Sequence, residues 1–159
     1  MSAHDAEPTT NTSVQAEVTV DVSQEQAFRL FTEQFDKVKP RHYNLLEVDV
    51  AETVLEPRVG GDVFDRGVDG TVCRWGRVLA FDPFDSFVIS WDLNARWQVE
   101  TDLNRTSEVE ISFVPVSPTR TRVVVDHCHL ERHGDGWEAV SRGVADGWPV
   151  FLANFVGLT

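Results

Sequence analysis

From Val14 onward the chain alternates apolar and polar positions. Val14, Ala16, Val18, Val20 and Val22 share one parity, the signature of a half-buried strand. The period then changes. Ser23-Gln24-Glu25-Gln26 reads as a capping box, in which a hydroxyl and an amide side chain satisfy the free N–H groups of a helix start. Ala27, Leu30 and Phe31 follow at helical spacing, and Lys39-Pro40 ends the region. Between Val48 and Glu131 period two returns, punctuated at Pro57, Gly60-Gly61, Asp69-Gly70, Pro83 and the run from Pro115 to Thr121. Asp135-Gly136-Trp137-Glu138 suggests a second capping box. Behind it Trp137, Val140, Val144, Trp148, Phe151 and Phe155 recur every three or four residues, an amphipathic helix. Pro149 lies inside that stripe and predicts a kink or a shortened helix, because it lacks an amide donor and its ring crowds the preceding turn.

Strand parity separates two faces. Cys73, Trp75, Leu79 and Phe81 fall on one side, as do Phe87, Ile89 and Trp91 in the next strand. Val109, Ile111 and Phe113, then Val123, Val125, His127 and His129, extend the same apolar side. Arg74, Ser86, Ser90, Asp92, Glu108, Glu110, Ser112, Arg122 and Asp126 fall on the other. One wet face and one apolar face describe an antiparallel sheet, and the C-terminal helix is available to cover the apolar one. The expected fold is therefore α+β: a curved antiparallel sheet wrapped around a long C-terminal helix, with a short N-terminal helical region. The gap between such a sheet and its helix is where small ligands bind.

Length and charge narrow the partners. The 159 residues fit one domain, with 1–13 as a disordered polar tail and 14–159 as the folded unit. A net charge of −12 repels phosphate backbones and anionic lipid, so neither nucleic acid nor a membrane surface is an expected partner. Met1 to Ser13 carries neither a basic patch nor an apolar run, which gives no sign of a targeting peptide. Cys73 and Cys128, on opposite faces by parity, cannot bridge, and two free thiols suggest the reducing cytoplasm.

Against this frame, Glu56-Pro57-Arg58-Val59-Gly60-Gly61, Phe64-Asp65-Arg66-Gly67, Asp69-Gly70, Trp75-Gly76-Arg77-Val78, Pro83 and Trp91 together resemble the SRPBCC (START/Bet v-like) superfamily. The resemblance is stronger to the branch of homologues of the heat-shock-protein-90 ATPase activator C-terminal domain. Ser107 to Phe113, Thr121-Arg122-Val123, His127 to Gly134 and Gly147-Trp148 extend it over about Val14 to Phe155. It implies a helix-grip fold with an internal cavity, in a superfamily of lipid and hormone binders, polyketide aromatases and cyclases, and co-chaperone modules. Pro149 and the early chain end depart from the pattern at the last helix.

Candidate chemistry is sparse. His127 and His129 at i and i+2, with His133 beyond, have a spacing that could ligate a metal, but Cys128 points away by parity and no carboxylate is fixed beside them. No metal and no cofactor is expected. His127 suits a hydrogen-bonding or proton-transfer role in the cavity, since imidazole titrates near neutral pH. Of Asp65 and Arg66, adjacent on a strand, one faces in and one out, and the sequence leaves open which. An inward Arg66 would hold an anionic ligand group, and an inward Asp65 would pair with His127. Glu52 is equally ambiguous. Five tryptophans combine flat apolar area with single N–H donors and suit either an aromatic ligand or a plain core.

The expected ligand-binding set is Phe64, Arg66, Trp75, Trp91, Trp97, His127, His129 and Phe151. No catalytic set is identified, His127 being the one candidate. The sequence thus reads as a binding module for a small apolar or aromatic ligand. The alternatives are a polyketide cyclase- or dehydratase-like enzyme and a chaperone-activator-like interaction module. A protein partner or a homodimer is left open.

Overall fold

A computed structural model describes residues 11–159. The tail expected at 1–13 lies mostly outside the described residues, and its last positions join the fold, the Leu130 N–H donating to the Thr12 carbonyl. Seven antiparallel strands form one sheet: β1 (Val14–Val20), β2 (Val50–Leu55), β3 (Asp62–Gly67), β4 (Val72–Asp82), β5 (Ser86–Trp91), β6 (Ser107–Ser117) and β7 (Arg120–Cys128). Their order is β1-β7-β6-β5-β4-β3-β2, so the sheet is a meander from β2 to β7 with β1 added at the far edge. Between β1 and β2 lie α1 (Gln24–Glu33) and α2 (Phe35–Val38), and α3 (Trp137–Val156) closes the chain. Curled around α3, the sheet gives the expected α+β helix grip.

The elements form where the residues dictate. At the start of α1, Ser23 Oγ accepts the Gln26 N–H at 3.2 Å, as a capping hydroxyl should. The second box fails. The residue before α3 is Gly136, held at φ 87° with no side-chain cap, and a Cβ there would also come within 3.1 Å of Ala95. Nor does Pro149 shorten the last helix, which runs through it for 20 residues. Pro149 lacks the N–H that would have bonded back to the preceding turn.

Two bulges in β4 shift the parity. Val63 pairs with Gly76 and Phe64 with Arg74, leaving Trp75 as the extra residue; Val78 and Ala80 flank a second slip at Leu79. The second bulge turns Val78 inward in place of the expected Leu79. Ser90 and Asp92, assigned by parity to the wet face, are both fully buried. Asp92 is enclosed because its N–H donates to the Trp75 carbonyl, its carbonyl accepts from Glu100, and Arg77 lies 3.4 Å from its carboxylate.

The core concentrates on aromatic rings. Phe28, Phe31 and Phe35 from α1 and α2 meet Phe87 and Phe113 from the sheet and Phe155 from α3, with Phe28 and Phe113 centroids 5.2 Å apart. Each such ring contributes about 1.5–3 kcal/mol by leaving water. This end of the molecule is solid, and the opening lies at the other end.

Candidate functional site

Beyond Phe35 and Phe151 the space between sheet and α3 widens into a cavity of about 270 Å³. Its origin is visible in α3. Ala139, Gly143 and Gly147 recur at i, i+4 and i+8, a stripe of small residues that lines the cavity, Gly147 buried and the other two toward its open side. A Cβ on Gly143 would meet nothing within 4 Å, and one on Gly147 would only touch Tyr43 at 3.7 Å. Trp75 and Trp91 form the sheet wall; Val140, Val144, Trp148 and Phe151 flank the glycines. The lining is mostly apolar.

The loop after β5 forms one lip. Asn94 Oδ1 accepts the N–H groups of Arg96 and Gln98 at 2.9 and 3.0 Å, and Leu93 bridges to Val99. This tight turn holds Trp97 in the left-handed region at φ 56° and leaves it 68% exposed at the cavity rim. Tyr43 and Asn44 form the opposing lip.

One charged side chain lines the buried wall. α2 ends at Val38, and Lys39, extended at ψ 127° as a residue before proline must be, turns its side chain inward. Its Nζ donates to Asp65 Oδ2 at 2.7 Å, and Asp65 Oδ1 accepts the Thr53 hydroxyl at 2.6 Å. The Nζ also stands 5.4 Å above the Trp75 ring. Burial pushes the Lys39 pKa down, while Asp65 beside it pulls it back up. From the sequence alone Lys39 reads only as a helix terminus. The available signal was a lysine before proline, close in sequence to an apolar helix face.

The open question at Asp65 and Arg66 is settled by pairing. Asp65 stands opposite Cys73 and is fully buried with Val63, whereas Arg66 is outside in an ion pair with Glu52. Phe64, on the same parity as Arg66, also faces away from the cavity. Asp65 pairs with Lys39 rather than His127.

His127 is buried but does not line the cavity, being packed behind Trp91 and Trp148 with ring centroids at 5.3 and 6.1 Å. The Trp148 indole N–H donates to His127 Nδ1 at 3.1 Å. An indole can only donate, so the imidazole proton sits on Nε2 and is given to Ser107 Oγ at 2.7 Å. Ser107 passes its own proton toward His133 Nε2, also 2.7 Å away. Burial first, and His133 second, hold the His127 pKa down to about 3. At neutral pH it therefore has no second proton to give. His129 is not inward: β7 ends at Cys128, and His129 turns left-handed at φ 60° to stand half-exposed beside Glu131. Among the described residues no three His, Cys, Asp or Glu side chains gather as a metal site. Of the expected set, then, Trp75, Trp91, Trp97 and Phe151 surround the cavity, and Phe64, Arg66, His127 and His129 do not.

Among the described residues no helix is long and apolar enough to cross a membrane. No family model and no curated protein matches the chain. Solved structures do. An anthrahydroquino-gamma-pyrone synthase, Txn09, is 34% identical over 92% of this chain and 96% of its own, with a TM-score of 0.65. The self-sacrificing resistance protein CalC from Micromonospora echinospora is 27% identical over 92% and 93%, at 0.64. An HSP90 activator from Plasmodium falciparum, 18% identical over 93% and 96% at 0.59, shares the fold. With a sheet gripping one long helix, a cavity between them and a 34% identical relative matched nearly end to end, the chain belongs to the SRPBCC (START/Bet v-like) superfamily of helix-grip proteins.

Proposed function

We propose that this protein binds an aromatic small molecule in the cavity between its sheet and α3. The observation that carries this reading is the wall itself: Trp75, Trp91, Trp148 and Phe151 surround a space that two glycines leave open, with Trp97 at its rim. Flat rings supply large apolar contact and favour offset or edge-on stacking with other rings. At about 270 Å³ the cavity sits near the lower end of the range for small-molecule sites, which suits a compact ligand. Native mass spectrometry of freshly purified protein, followed by thermal-shift measurements across a panel of aromatic and fatty compounds, tests it. The expected result is a stoichiometric adduct and stabilisation by aromatic compounds. A clean apo mass and no shift across the panel would overturn it.

A second reading, a cyclisation enzyme acting on a polyketide-like aromatic, is favoured by the 34% identity to a gamma-pyrone synthase. In that reading His127, sealed behind Trp91 and Trp148, is not the proton carrier. Turnover of an anthrahydroquinone substrate that survives His127→Gln would support it, and absence of any turnover would leave binding as the function.

A further inference from the structure

Lys39 is a buried amine that aromatic binding alone does not use. Of the 14 basic residues in the chain only two, Lys37 and Lys39, are lysine. Lys37 is exposed on α2, whereas the Lys39 side chain is 3% exposed and lines the cavity. The residue type matters chemically. A guanidinium keeps its charge, but an amine that sheds its proton becomes a nucleophile. An ion pair this deeply buried gains little over apolar side chains of the same shape, so stability alone does not call for one on a cavity wall.

The surroundings of Lys39 suit that conversion. Asp65 Oδ2 stands 2.7 Å from Nζ, in place to take a proton from the ammonium. The Thr53 hydroxyl holds the other Asp65 oxygen at 2.6 Å and so keeps the carboxylate aimed at the amine. The Trp75 ring covers another side, its centroid 5.4 Å from Nζ. Burial lowers the Lys39 pKa, opposed first by Asp65 on β3 and less by Cys73 on β4 and Asp36 on α2, and the net direction is down. Lys39 therefore yields its free amine more readily than an ordinary lysine does.

We propose that Lys39 is an imine-forming lysine, whose Nζ adds to the carbonyl carbon of a small aldehyde in the cavity with Asp65 as the proton carrier. This function goes beyond binding; it needs the cavity, and it does not need the natural ligand to be aromatic. The ammonium first passes a proton to Asp65 Oδ2. The freed Nζ lone pair bonds to the carbonyl carbon while the C=O π pair moves to oxygen. A proton then shifts from nitrogen to that oxygen, giving a carbinolamine. Asp65 returns its proton to the hydroxyl, which leaves as water while the nitrogen lone pair closes the C=N bond. The net change is ammonium plus aldehyde to iminium plus water, with no outside oxidant, reductant or acid. The iminium inherits the Asp65 carboxylate as its counter-ion.

Benzaldehyde is the probe, with sodium cyanoborohydride to reduce any iminium to a stable amine. The wild type is titrated with benzaldehyde at about pH 7, where an ordinary lysine is almost wholly protonated. Intact mass is expected to show one added benzyl group, and peptide mapping to place it on Lys39. Lys37 and the α-amine of the chain, mapped in the same digest, are internal controls. Lys39 should be labelled about tenfold or more faster than Lys37, the effect of one pKa unit on the free-amine fraction. In urea that preference should vanish. Lys39→Met alone would strand the Asp65 charge, so the working variant is Lys39→Met with Asp65→Asn, confirmed folded by circular dichroism. It should lose the label yet keep thermal stabilisation by benzyl alcohol, which has the same ring without the carbonyl. Label on Lys37 or the α-amine alone, or Lys39 labelled no faster than Lys37 in the folded protein, overturns the imine. Stabilisation by benzaldehyde or benzyl alcohol with nothing trapped at Lys39 overturns the imine and leaves binding standing. No trapping and no stabilisation by any compound of the panel overturns both.

Discussion

Two buried polar constellations lie within the same fold, and they differ in one respect. His127, Ser107, His133 and Trp148 form a chain in which each donor from the indole to Ser107 has its acceptor, sealed behind two tryptophans. Lys39, Asp65 and Thr53 form a shorter chain whose cation opens on the cavity with donors to spare. The histidine cluster carries the more familiar chemical repertoire, yet its histidines do not line the cavity. What separates the two networks here is access to empty space, since Lys39 lines the cavity and the histidines do not, rather than the identity of their side chains.

The comparison can be broken most sharply at Lys39. Lys39→Met alone should cost about 3–5 kcal/mol in urea denaturation by stranding Asp65, and adding Asp65→Asn should recover most of it. Equal stability of the single and double variants would show that the pair is not buried as described.

Next in size is His127. His127→Gln should cost on the order of 2–3 kcal/mol by disturbing partners of Ser107 and Trp148, with ligand affinity unchanged. Its pH signature is distinct. His127 is held at about 3 in the fold against about 6.5 unfolded. Below about pH 6.5 the unfolded chain takes up a proton that the native one refuses, so stability falls as pH falls, by up to ~1.4 kcal/mol per unit. The contribution is complete above 6.5, and the lowered pKa of His133 acts in the same direction. Stability curves between pH 7 and 4 should be flatter in His127→Gln than in the wild type.

Gly143→Leu sharpens the other side. Nothing stands within 4 Å of the added Cβ, so the fold should gain up to about 1 kcal/mol of helix propensity. Ligand binding should be lost in the same titrations because the cavity is filled. The smallest effect is expected at Arg66→Ala, an exposed ion pair with Glu52, which should change stability by less than about 1 kcal/mol and affinity not at all.

The sheet, the long helix and the gap between them were legible because period two and period 3.6 are strong signals and most positions on the core face are apolar. Parity misplaced side chains where a residue was inserted or a strand ended, and it missed that Ser90 and Asp92, on the outer face, are covered. The slip at Leu79 moved Val78 inside, and the turn at His129 carried that side chain out. Neither event has a marker in a single sequence. The adjacent Asp65 and Arg66 could not be told apart because a strand's inner face is set by its neighbours, and Lys39 is the neighbour that selects Asp65. The cavity was foreseen from the architecture, but its cause was not. The large residues on α3 mark the helix face in the sequence, whereas Ala139, Gly143 and Gly147 line the empty volume by what they lack.

The turn that Asn94 builds has an optical consequence. It places one tryptophan, Trp97, 68% in water at the rim, while Trp75 and Trp148 are each 1% exposed. Native emission should therefore divide into a red, acrylamide-quenchable part from Trp97 and a blue, shielded part from the interior. A molecule seated in the cavity against both sets would move the two parts differently: it would dim the interior indoles by stacking and shift the rim indole toward the blue. The protein thus carries its own two-colour readout of whether the site is filled from the bottom or only visited at the lip.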